Sequence, residues 1–201
     1  MAIKTILVLG VGALALSGCA ATKFATKLND FDKLETEVNG MSATTTMPTT
    51  GSATYTGTSA IAGSWEDSNI VVLGDTTMTA NFATARVTGT IDDLVGADLN
   101  DRQKERYDNG DLGVLAIVRT SERADGTIAI RDGVIAGNTF AATADGDFTM
   151  DGYNYVVGGG VDGEFRGTGA TAIAAEDGAT FSFTRNGTAG TGTSAEIYAT
   201  R

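Results

Sequence analysis

The chain has 201 residues, with 25 acidic against 14 basic side chains, a formal charge of −11, no His, one Cys and one Pro. Without an imidazole there is no His-based triad, no His-ligated zinc and no His-ligated haem, and an acidic chain without a basic cluster is not built for nucleic acid. An apolar fraction of 42% is too high for a disordered chain, so at least one packed domain is expected.

Residues 1–18 read as a signal peptide. Lys4 gives a positive start, Ile6 to Leu16 a short apolar run, and small residues follow. A run of this length does not span a bilayer, which takes ~20 residues for ~30 Å of hydrocarbon. It ends Leu16-Ser17-Gly18-Cys19, which resembles the lipobox of bacterial lipoproteins. The plainer reading makes Cys19 an ordinary small residue at a signal-peptide cleavage site. The resemblance instead implies cleavage before Cys19 and lipid attachment to it, palmitate among the acyl chains. No other Cys remains for a disulfide. Each buried methylene contributes about 0.8 kcal/mol, so two or more acyl chains anchor stably. Ala20, in place of Asp after the Cys, implies sorting to the outer membrane by resemblance to Gram-negative lipoproteins.

Residues 19–46 are expected to form a lipid-anchored tether with a short amphipathic helix. Phe24, Leu28, Phe31, Leu34 and Val38 recur at helical spacing, Asn29, Asp30, Asp32, Lys33, Glu35 and Glu37 occupy the other side, and Gly40 supplies a stop. That stripe fits docking on the chain's own domain better than a lipid surface, which favours a Lys/Arg-rich polar face.

From Met47 the period switches to two. Strands are expected at 52–57, 77–82, 86–94, 112–120, 127–131, 134–142, 148–157, 163–174, 180–184 and 195–199, with a hairpin across 83–85. Asp132-Gly133 carries a strong hairpin signal, and Asp177-Gly178 and Arg185-Asn186-Gly187 read as turns. Residues 96–113 break the alternation as a charged loop, with a helical turn around Leu99–Tyr107, and are the best candidate for partner contact. Eight or more short strands without strand–helix alternation predict an all-β chain: a single antiparallel, about eight-stranded barrel over residues 47–201. A transmembrane barrel is the runner-up, disfavoured because alternate strand positions carry Thr, Gly, Asp or Arg.

Motifs that suggest chemistry have plainer readings. Gly158, Gly160 and Gly163 match a dinucleotide fingerprint on paper, but Asp162 and Glu164 put negative charge there and a strand follows. Asp145, Asp147 and Asp151 hint at a cation site yet lack the closing Glu of a calcium loop. Abundant Ser and Thr have no His as base, and Lys23, Lys27, Lys33 and Lys104 all lie outside the expected strands. Trp65, Tyr153 and Tyr155 suit a barrel mouth or a core. No enzyme activity and no cofactor are predicted.

Several stretches resemble the β-barrel domain of transferrin-binding protein B lobes and related Gram-negative surface lipoproteins. They are Met47 to Gly57, Thr79 to Phe82 running into Val87 to Ile91, Ile135 to Phe140, and Val161 to Gly167 leading to Ala170. The resemblance implies an eight-stranded barrel, a lipid anchor at Cys19 and a binding role at the cell surface. It departs in size, because this chain has room for one barrel only, and no transferrin-contacting loop can be matched. The expectation is thus an outer-membrane, surface-exposed, monomeric binding module. Its partners are membrane lipid through Cys19 and an unidentified protein or solute, with a structural envelope lipoprotein as the alternative.

Overall fold

The computed structural model describes residues 12–109 and 121–201. Within them a helix, α1 (Gly12–Asn39), precedes β1 (Ser52–Trp65), β2 (Ser68–Asn81), β3 (Arg86–Leu99), helix α2 (Asp101–Asp108), β4 (Ser121–Arg123), β5 (Asp125–Ala136), β6 (Thr139–Met150), β7 (Tyr153–Arg166), β8 (Ala172–Asp177), β9 (Ser182–Arg185), β10 (Thr188–Ala189) and β11 (Thr191–Thr200). Eight of the strands close a ring of antiparallel pairs in the order β1-β2-β3-β5-β6-β7-β8-β11 and back to β1. The all-β, eight-stranded antiparallel barrel behind an N-terminal helix is therefore the fold. Alternating direction puts the β1–β2 turn, α2, the β6–β7 turn and the β9–β10 hairpin at one end, here the upper. The turns at 82–85, 137–138 and 167–171 lie at the lower end.

Turn chemistry explains where the strands stop, and where the expected boundaries fail. Asp151 and Gly152 both have positive φ (49° and 75°) and make the two-residue turn between β6 and β7. The strand expected over 148–157 is thus two strands. Asp132-Gly133 is not a hairpin. It is a bulge inside β5, with Asp132 at φ 56° and the β5–β6 register shifting between Arg131 and Val134. A Cβ on Gly133 would stand 2.4 Å from the Val87 carbonyl oxygen, so glycine lets β3 close on β5 here. Hairpin and bulge both need positive φ, and the dipeptide alone does not separate them. The stretch 163–174 is likewise broken by a turn at 167–171. Residues 96–99 complete β3 rather than opening a loop, and the helical turn behind them is α2. The strand expected at 112–120 lies outside the described residues.

Inward residues fill the barrel. Tyr55, Phe148, Tyr155, Phe165 and Phe183 are each no more than 1% exposed and belong to one apolar cluster with Ile61, Met78, Val87, Ile128, Phe140 and Ile173. Phe165 contacts the Tyr55, Phe82 and Phe140 rings at 5.5–6.0 Å. Eight strands enclose room for about this much side chain. The outward row on β6 reads Thr139, Ala141, Thr143, Asp145, Asp147 and Thr149, which is no lipid-facing band.

A second cluster lies outside the wall. Ala20, Phe24, Leu28, Phe31 and Val38 of α1 pack over Ala60, Val71, Leu73, Val95, Ala97, Ala172 and Tyr198, and each large apolar side chain so covered contributes about 1.5–3 kcal/mol. The stripe legible in the sequence is the docked face, with Leu34 at its edge. Lys23 pairs with Asp93, and Lys27, itself 5% exposed, pairs with Asp75 and with Asp93 at 3.2 Å. Among the described residues no helix is long and apolar enough to cross a membrane.

Candidate functional site

Among the concave regions of the described residues, one lies at the upper mouth and one on the outer wall. The mouth cleft, about 370 Å³, is built by strand ends. Trp65 closes β1, Tyr153 and Tyr155 open β7 and Arg185 ends β9, which brings together the three aromatic residues singled out in the sequence. The Arg185 guanidinium lies 5.2 Å from the Trp65 ring centre and 4.8 Å from that of Tyr153, pairs with Asp67 and donates to Ser68 Oγ at 2.6 Å. The hydrogen bond from Arg185 holds the Asp67 carboxyl below the usual aspartate range. Burial pushes the Asp98 carboxyl and the Tyr155 phenol up. Among the described residues, the only guanidinium lining this cleft is thus already paired and stacked, and the arrangement closes the barrel end more than it offers a reactive group.

The outer-wall groove is larger, about 660 Å³, and runs over β6, β7, β8 and β11 where α1 ends. Its floor is made of small residues, Ala141, Gly163 and Ala174, with Phe140 beneath. A Cβ on Gly163 would point inward and lie 2.1 Å from Phe140 Cζ, so this glycine lets the buried Phe140 ring lie across the inner side of the wall under the groove. Above the floor stands a row of carboxylates. Register sets Asp162 of β7 directly opposite Glu176 of β8, and Glu176 directly opposite Glu196 of β11. Like charges facing each other across strands are destabilising. Burial, then Glu35 of α1, raises the Glu196 carboxyl above its usual range, and Tyr198 Oη lies 3.5 Å from Glu196 Oε2. Glu35 is also raised, by burial and then by Asp32. Among the described residues, the one cation lining the groove, Arg166, faces Glu164, its Nε 3.0 Å from Glu164 Oε2.

The remaining sequence candidates are dispersed. Gly158, Gly160 and Gly163 lie within β7, where Gly160 N donates to Thr180 Oγ1 at 2.9 Å and Gly160 O accepts from Gly178 N. They meet a loop rather than a helix N-terminus. Asp145 and Asp147 point outward on β6 and Asp151 sits in the next turn. Asp145 pairs with Arg131 at 2.9 Å. Among the described residues no group of three acidic or Cys side chains is placed to hold a metal ion. Lys23 and Lys27 are held in ion pairs by Asp93 and Asp75. Cys19 is exposed on α1 with a free thiol. The carboxylate row went unseen in the sequence, because its members are 14 and 20 residues apart and only the pairing register aligns them.

Comparison with known proteins adds the following. No family model matches the chain, and no curated protein matches it. What it is similar to, among solved structures, is transferrin-binding protein B. The crystal structure of a double mutant of that vaccine antigen from Haemophilus parasuis Hp5 shares 19% identity over 77% of this chain and 26% of its own, with a TM-score of 0.44. The intact Ap-TbpB, with N and C lobes, shares 18% identity over 80% of this chain and 28% of its own, with a TM-score of 0.41. This chain spans about a quarter of the length of either protein.

Proposed function

We propose that the protein is an outer-membrane lipoprotein, anchored through acylated Cys19 and exposed at the cell surface, whose barrel binds a partner on its outer wall rather than in its interior. The observation that carries this reading is the contrast between the two spaces. Side chains fill the inside, while the outer groove presents Asp162, Glu176 and Glu196 in a like-charged row over a small-residue floor. A row of that kind costs stability in the free protein, and a basic protein surface is the partner that relieves it. Electrostatic complementarity would speed association and make it fall with salt. The binding role agrees with what the sequence resemblance implies, and the groove favours a protein over a small solute.

Two measurements test the reading. Metabolic labelling with a fatty acid should mark the wild-type protein and not the Cys19→Ala variant, which should move to soluble fractions. Protease added to intact cells should then cleave the anchored protein. Full membrane retention of Cys19→Ala, or complete protection from protease, contradicts the anchored, surface-facing module. Complete protection with retained acylation points to the structural envelope alternative.

A further inference from the structure

The residue expected to carry lipid has no slack behind it. Ala20 is 4% exposed, and from there α1 lies on the barrel without a break. Lys23 meets Asp93 of β3, Lys27 meets Asp75 of β2, Phe31 meets the Tyr198 ring of β11 at 5.4 Å, and Asn39 Nδ2 donates to Tyr198 Oη at 3.4 Å. The chain then continues along the lower part of β7, where Thr44 N donates to Phe165 O at 2.9 Å and Gly167 N donates to Ser42 O at 2.9 Å. Read backwards, this path leads from β7 over β11, β1 and β2 to β3, and α1 also touches β4. Cys19, one turn before Lys23, therefore stands over the wall formed by β3 and β4.

A free tether of n residues spreads its cargo over about 5–6 Å × √n, whereas here the tether between lipid and docked helix has length zero. Charge along α1 adds an independent observation. From Ala20 to Leu28 there is no acidic residue and both lysines are paired with barrel aspartates, while Asp30, Asp32, Glu35 and Glu37 follow against Lys33 in the second half. An anionic headgroup layer therefore repels the far half of the helix and not the near half.

We propose that the β3–β4 wall lies directly against the phospholipid headgroups of the anchoring membrane, and that α1 acts as a strut holding the outer-wall groove clear of it. Twenty residues separate Cys19 from Asn39 at the groove, which at 1.5 Å per residue is ~30 Å. The inference rests on the acylation proposed above and adds a fixed orientation to it. It also turns the partner-contact role away from α2, which sits at the anchor-side end of β3, and towards the groove.

The test uses the full-length protein, processed in cells and reconstituted into vesicles of phosphatidylethanolamine and phosphatidylglycerol containing a headgroup-nitroxide lipid. A fluorophore is placed on a single new thiol at Arg123→Cys in β4 (paired with the outward Val95), at Thr84→Cys in the lower turn, or at Thr139→Cys beside the groove. All three positions are exposed. Quenching at 123 should exceed that at 84 and 139 several-fold, and a Gly/Ser segment inserted between Cys19 and Ala20 should erase the contrast. Equal quenching at the three sites in protein that floats with the vesicles overturns the orientation while leaving the anchor intact. A contrast that survives the insertion also overturns it, because the docked anchor would then not be its cause. Failure to float overturns the acylation itself.

Discussion

Glu176→Gln should make this protein more stable, and by an amount the register allows one to work out. The side chain faces Asp162 on one neighbouring strand and Glu196 on the other, so an isosteric neutral replacement removes two like-charge pairs at once. A directly opposed pair of this kind costs about 0.2–1 kcal/mol, and because Glu176 is exposed the lower half of that range applies to each. The expected gain is about 0.4–1 kcal/mol, or about 1–4 °C in Tm for a domain of this size. Thermal melts of the wild type and the variant in low-salt buffer at pH 7 measure it. The gain should shrink in added salt, since the Debye length falls from ~10 Å at 0.1 M to ~3 Å at 1 M. Asp147→Asn is the control. Asp147 is also outward on its strand, but it faces Thr127 and Val156 rather than acids, and neutralising it should leave Tm unchanged. A Glu176→Gln protein no more stable than wild type at low salt, or a gain that does not respond to salt, would refute the reading of the row as unrelieved repulsion.

Further outcomes follow from the same geometry. Glu196 is raised above the ordinary glutamate value of 4.5, so the folded state binds its proton more tightly than the unfolded chain, and stability from this group grows as pH falls towards 4.5. Asp93 is lowered below 3.8, chiefly by the hydrogen bond from Lys23, so its contribution is lost as pH falls below that value. Melts from pH 7 to 3 should therefore rise and then fall, and Glu196→Gln should flatten the rise. Arg185→Lys keeps the charge but loses the planar stack between Trp65 and Tyr153. It should shift the emission of the single Trp and lower stability by about 0.5–2 kcal/mol. Gly163→Ala puts a methyl into the Phe140 ring and should destabilise the fold by about 1–3 kcal/mol, read as a lower denaturation midpoint with unchanged slope.

What the sequence made legible were the features governed by local periodicity. The α1 stripe from Phe24 to Val38, the alternation of Met78, Ala80 and Phe82 in and beyond β2 and the positive-φ turn at Asn186-Gly187 all depend on neighbours within a few residues. What escaped depends on pairing at a distance. Asp132-Gly133 became a bulge because β3 needed to approach there, and β3 ran on to Leu99 because Ala97 and Leu99 belong to the cluster beneath α1. The groove is the extreme case. Val161, Phe165 and Ile197 point inward, so alternation already turns Asp162, Glu164 and Glu196 outward. Only the β7–β8–β11 register makes neighbours of Asp162, Glu176 and Glu196. Arg185 at the mouth was hidden in the same way, since nothing local links it to Trp65, 120 residues earlier in the chain.

Site-specific photo-crosslinking on living cells tests the central claim most directly. A photoreactive amino acid is placed at position 176 in the groove, or at Thr77 on the exposed face of β2, in the full-length anchored protein. The account predicts a discrete adduct from position 176 that weakens when salt is raised during illumination, with none from position 77. Adducts of equal yield from both positions, or no adduct from 176 in cells that display the protein, would contradict it.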